Sequence, residues 1–119
     1  MEVSRQEVYD KYNGKCAYCG EDINLKKFQV DHIHPRHLSH LENLDNDRYE
    51  NLNPACRKCN SFKAGSVLEI FRSELSLQVE RLLRNNTWAA RQFDRALRFK
   101  QVEITKRPIV FHFEERSTK

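Results

Sequence analysis

The sequence predicts an α+β fold: two short strands and a helix closed into one small unit by a four-cysteine site, then a helical extension ending in a short strand. Three observations carry this. The only four cysteines, Cys16, Cys19, Cys56 and Cys59, fall in two C-x-x-C pairs. Residues 28–33 alternate apolar and polar, as a half-buried strand does. Beyond Gly65 the apolar spacing turns helical.

The chain has 119 residues, 39% hydrophobic and 32% charged, enough for one modest domain over residues 1–119. Its core is expected at 14–65, with 66–119 as the extension. Mean hydropathy is −0.82. No run approaches the roughly 20 apolar residues of a membrane span, and the N-terminus lacks the basic-then-apolar pattern of a secretory signal. A cytoplasmic protein is expected. The net charge is +4. Residues 1–65 carry 10 basic against 10 acidic side chains, and residues 66–119 carry 11 against 7, so the excess lies in the extension. Basic charge gathered in one half fits a nucleic-acid partner, or simply a solvated arginine-rich helix.

Two knuckles supply four thiolates, the tetrahedral set a structural zinc needs. Disulfides fit a reducing compartment poorly. A dithiol redox site needs one pair within a βαβ pattern, which is absent. Residues 14–65 also hold only fifteen apolar residues besides cysteine, too few for so small a unit without a staple. The gap between knuckles is 36 residues, long for a zinc ribbon, so the chemistry is sought in that insertion.

Ser4 to Glu7 reads as a capping box opening a helix to about Tyr12, stopped by Asn13-Gly14. Phe28 to Ile33 is the first strand, ended by Pro35. Residues 36–48 read as a polar loop with a helical turn near Leu41 to Leu44. Tyr49 to Leu52 is the second strand, and Asn53-Pro54 starts a helix carrying Cys56, Cys59, Asn60 and Lys63. Gly65 closes it. Ser66 caps an amphipathic helix with Leu68, Phe71, Leu75, Val79 and Leu82 near one face. Asn85-Asn86 breaks it, and Thr87 caps another from Trp88 to about Lys100. Ile109 to Phe113 alternates as a final strand, with His112 structural.

Five pieces occur in order: Cys16-x-x-Cys19, Asp31-His32-Ile33-x-Pro35, Asn51-Leu52, Cys56-x-x-Cys59-Asn60, and Lys63. Together, over about residues 15–65, they resemble the HNH endonuclease family. The resemblance implies a ββα-metal core stapled by a four-cysteine zinc site, and metal-dependent hydrolysis of DNA to 5′-phosphate and 3′-hydroxyl ends. It implies His32 as the general base activating water, and Asp31 and Asn60 as ligands of one catalytic divalent ion. Asn51 would brace the loop and orient the histidine. Lys63 would meet substrate phosphate. Cys16, Cys19, Cys56 and Cys59 would hold structural Zn2+. Oxygen ligands suit Mg2+ or Mn2+, with Ni2+ or Zn2+ tolerated beside a histidine.

The residue types fit this chemistry independently. Histidine is the usual general base near neutral pH, and a hard cation on oxygen ligands stabilises a phosphoryl transition state. Adjacent strand residues point to opposite faces, so Asp31 and His32 should share a site only through a twist or bulge. The loop after Pro35 carries Arg36, His37 and His40 where glycines are common in the family. His34, His37 and His40 read as surface residues or outer hydrogen-bonders, with His34 on the face of His32. Arg84, Arg91, Arg95 and Arg98, with Trp88, form a stripe expected either to track DNA phosphates or to be an exposed face with Phe93, Ala96 and Leu97 packed behind. The rival to a nuclease is a non-catalytic zinc-ribbon module binding nucleic acid or protein. A nuclease acting within a larger restriction or DNA-packaging assembly is a third reading. No membrane partner is expected.

Overall fold

The structure, a computed structural model, describes residues 2–35 and 46–117, side chains to residue 115. Its elements are α1 (Arg5–Asp10), β1 (Gln29–His32), a 3-10 turn (Tyr49–Asn51), β2 (Leu52–Ala55), α2 (Arg57–Lys63), α3 (Leu68–Arg84), α4 (Trp88–Arg98) and α5 (His112–Ser117). This is the expected α+β arrangement, with β1, β2 and α2 in ββα order. Among the described residues no helix is long and apolar enough to cross a membrane. The expected turn near Leu41 to Leu44, and His37 and His40, lie outside the described residues.

The chain forms two compact units, Met1–Phe71 with Val110–Lys119, and Arg72–Ile109. The first unit thus takes in residues 66–71 and the last ten residues together with the knuckles. Aromatic packing explains their return. Tyr18 meets Phe71, Phe111 and Phe113 edge-on, at centroid distances of 5.8, 5.4 and 5.9 Å. Such contacts each add about 1 kcal/mol beyond burial.

α1 starts as expected, with Ser4 and Glu7 in a reciprocal capping box. Asn13 and Gly14 both take positive φ, and a Cβ on Gly14 would lie 2.7 Å from the Tyr9 hydroxyl, so only glycine fits there. Val8, Phe28 and Leu52 are the core of this side, with Val3, Tyr9, Ile23 and Val30 packed against them. Lys11 ties α1 to the sheet region through the Tyr49 and Leu52 carbonyls, at 3.0 and 2.8 Å.

β1 and β2 are antiparallel, in one-to-one register from Gln29↔Ala55 to His32↔Leu52. The second strand thus starts at Leu52, where a 3-10 turn replaces the expected strand start at Tyr49. Asn53 and Pro54 are strand residues, not a helix start. Pro54 is tolerated because its carbonyl faces away from β1, accepting the Ala17 N–H at 2.8 Å, so no ladder bond is asked of its missing N–H. The helix starts three residues later, at Arg57, capped by the Cys56 sulfur, which accepts the Cys59 N–H.

Two further expectations are corrected. Ser66 does not cap α3, since it stands one residue outside the cap position and its hydroxyl donates to the Lys63 carbonyl at 2.7 Å. The final strand is a helix, α5. Glu114 accepts the Phe111 N–H at 2.9 Å, and Glu114 and Glu115 place negative charge at the helix start. The alternation of Phe111 and Phe113 reflects packing on Tyr18 rather than a strand.

Candidate active site and metal centre

The two knuckles meet. The sulfurs of Cys16, Cys19, Cys56 and Cys59 all lie within 4.8 Å of one another. Cys19 and Cys56 sulfurs are 3.8 Å apart. A tetrahedral zinc with Zn–S of about 2.3 Å requires sulfurs about 3.8 Å apart, so the four side chains fit that ion. Backbone N–H groups of Tyr18 and Cys59 donate to the Cys16 and Cys56 sulfurs, both at 3.4 Å, which favours thiolate. A hydrogen bond from Cys59 pulls the Cys16 thiol down to about 4 and pushes Cys59 upward. Burial raises Cys19 to about 11.

Tyr18, inside the first knuckle, connects this centre to β1. Its hydroxyl donates to Asp31 Oδ2 and accepts from Asn53 at 3.5 Å. Burial first, and the neighbouring Asp31 second, hold the phenol well above its ordinary pKa, so it stays a donor. Lys63, on the last turn of α2, reaches the same carboxylate at 3.2 Å and donates to the His32 carbonyl at 3.1 Å. Asp31 and Lys63 are 6% and 1% exposed. Lys63 therefore stands inside as the counter-ion of Asp31, not at the surface where a phosphate contact was expected.

The strand carries no bulge, since its register is unbroken through His32. Asp31 turns inward to Tyr18 and Lys63, whereas His32 turns toward Asp47, with Nε2 2.8 Å from Asp47 Oδ1. Both nevertheless border one open cleft of about 550 Å³, lined also by Val30, Pro35, Asn60, Ala64 and Gly65. The cleft mouth lies where β1 ends and α2 closes, so neighbours on opposite strand faces reach it from two sides. Ala64 and Gly65, both at positive φ, end α2 there.

Asn51 binds the segment after His32. Its Oδ1 accepts the His34 N–H at 2.7 Å, and its Nδ2 donates to the carbonyls of His34 and Asn46 at 3.1 and 2.8 Å. Its own carbonyl accepts the Ile33 N–H at 2.9 Å. One buried asparagine thus holds the residues on both sides of 36–45.

The expected arginines divide. Arg84 ends α3 and pairs with Glu80 at 2.9 Å, so the Asn85-Asn86 break takes it out of the α4 stripe. Arg91, Arg95 and Arg98 are exposed on α4. His112 packs its ring against Gly20 and contributes no ligand. Sequence reading missed Tyr18, Asn53 and Asp47. Tyr18 carried a signal, since a residue between two metal-ligating cysteines is fixed wherever they are. Asp47 carried none, being one of several polar residues in a loop.

Residues 16–64 match the family model described as HNH endonuclease. This matched segment contains every cysteine and cleft residue above except Gly65. The chain is 33% identical over 95 residues to "SPbeta prophage-derived putative HNH endonuclease YoqL" of Bacillus subtilis (strain 168), covering 76% of this chain and 41% of that protein. It is 31% identical over 74 residues to "CRISPR-associated endonuclease Cas9" of Corynebacterium diphtheriae, covering 62% of this chain and 6% of that one. The chain thus spans less than half the length of either relative. No solved structure matches it with significance.

Proposed function

We propose that this chain is a metal-dependent DNA endonuclease, with the HNH cleft as its catalytic site. The observation that carries the reading is the meeting of Asp31, His32 and Asn60 at one cleft inside an HNH domain. Zinc on the four thiolates staples the knuckles. Asp31 and Asn60 would hold one hard divalent ion, magnesium or manganese, which supplies positive charge to the phosphate and the leaving oxygen. Asp31 suits this, because Tyr18 and Lys63 fix its carboxylate from the protein side while its residue borders the cleft.

His32 takes the proton from the attacking water. Asp47 accepts the Nε2 proton and so leaves Nδ1 as the basic nitrogen, while Asn51 holds the following backbone. Replacing Asp47 by Ala should lower single-turnover cleavage on the order of tenfold, with DNA affinity retained. Asp47→Glu should recover part of the loss. Exposed arginines of α4 add phosphate contacts that bind without reading sequence.

Supercoiled plasmid incubated with magnesium or manganese tests the function. Nicked or linear DNA is expected from the wild type, and none with EDTA or with His32→Ala. A folded, zinc-loaded protein that leaves plasmid intact with every divalent ion would instead be a binding module, or the nuclease part of a larger assembly.

A further inference from the structure

The solvent face of α4 carries two aromatic rings that no packing requires. Trp88 is 77% exposed and Phe99 73%, the two largest values among the exposed apolar side chains described. They open and end the helix, with Phe99 at the C-cap. At about 100° per residue, eleven residues bring them within about 20° of the same direction, about 16 Å apart along the axis. Arg95 falls within about 20° of Trp88 and about 40° of Phe99, and Arg91 and Arg98 within about 80° of Trp88 on the same side. The opposite face holds Ala90, which is buried, and the half-buried Phe93 and Leu97. The two rings are therefore separate from the helix's packing side.

Charge narrows the partner. Arg72–Ile109 carries nine basic and four acidic residues, a net of +5 against +4 for the whole chain. Among the described residues the arginines of the face are held by exposed, weak contacts: Arg98 to Asp94 at 3.1 Å and Arg95 to the Gln92 side chain. A phosphate can replace these. An apolar protein partner would instead have to bury guanidinium groups lying between the rings. A duplex satisfies the arginines but offers the rings only base edges. An unpaired strand satisfies both, through phosphates along the arginines and base faces on the rings.

We propose that Trp88, Arg91, Arg95 and Phe99 form a stacking platform for single-stranded DNA, so that the protein holds unpaired strand as well as duplex. This rests on the reading of DNA as the partner, but not on cleavage. The chain has one tryptophan and four tyrosines, so fluorescence excited selectively at tryptophan reports Trp88 alone. The full zinc-loaded chain, without added divalent ion, is titrated with a mixed-sequence DNA strand of about 12 nucleotides, then with the same sequence as duplex and as RNA. Saturable quenching by the DNA strand, at lower concentration than either competitor, is expected. Phe99→Ala should weaken it about 5- to 100-fold with the circular dichroism spectrum unchanged. No quenching, equal or tighter binding of duplex or RNA, or an undiminished Phe99→Ala affinity overturns the proposal. Quenching by a protein that never cuts plasmid would leave the platform standing and point to a binding module or to the nuclease part of a larger assembly. Cutting without quenching would do the reverse.

Discussion

Stripping the ion from the four thiolates will unfold the first unit. Zinc binding by small Cys-rich domains contributes about 10–16 kcal/mol at neutral pH, at least the whole stability of a typical domain, about 5–15 kcal/mol. Here the site joins the turn after α1 to the start of α2, and no large apolar core replaces it among the described residues. Buried Tyr18 lies within the knuckle and centres the aromatic cluster with Phe71, Phe111 and Phe113. A strong chelator should therefore abolish the near-ultraviolet circular dichroism of these rings, and Cys59→Ala should have the same effect. Zinc re-addition should restore the signal after chelation. Loss of the ion should also release the Tyr18 hydroxyl from Asp31, so the cleft bordered by Asp31 and His32 is expected to fail with the staple.

Asp31→Asn will cost stability and catalysis for different reasons, and the two can be separated. The substitution leaves the Lys63 ammonium buried without its partner, a loss of about 3–5 kcal/mol. Lys63→Met should cost a similar amount by stranding the carboxylate. In the double variant, Asp31→Asn with Lys63→Met, both charges are gone and most of the stability should return. Urea unfolding of the four proteins measures the coupling. Manganese binding and DNA cleavage should remain lost in both variants that lack the Asp31 carboxylate. A double variant no more stable than its parents would mean that Asp31 and Lys63 do not act as a pair.

The ββα frame was legible because spacing alone expresses it. Two C-x-x-C pairs can meet only if the chain between them folds back, and Phe28 to Ile33 alternates as a strand must. The cysteines and cleft residues were legible as types: four thiols at knuckle spacing, and an acid, an amide and a histidine that the fold brings to one cleft. Their depth was not. Lys63 looks like a surface cation in the sequence, and only the fold shows that α2 aims it back at Asp31. Asn53-Pro54 reads as a helix start because that pair usually is one. The outward-facing Pro54 carbonyl, which depends on the knuckle beside it, overrides this. Likewise Phe111 and Phe113 alternate as in a strand, yet the local cap from Glu114 and the packing on Tyr18 produce a helix.

His32 is expected to take a proton from water in this cleft. The most direct test is single-turnover cleavage of end-labelled DNA by the wild type and by His32→Ala, with and without added imidazole. Removing the base is expected to slow cleavage about 10²- to 10⁴-fold, with DNA affinity and zinc content unchanged. Imidazole should recover part of the rate in the variant and leave the wild type unaffected. Cleavage by His32→Ala at the wild-type rate would contradict the assignment.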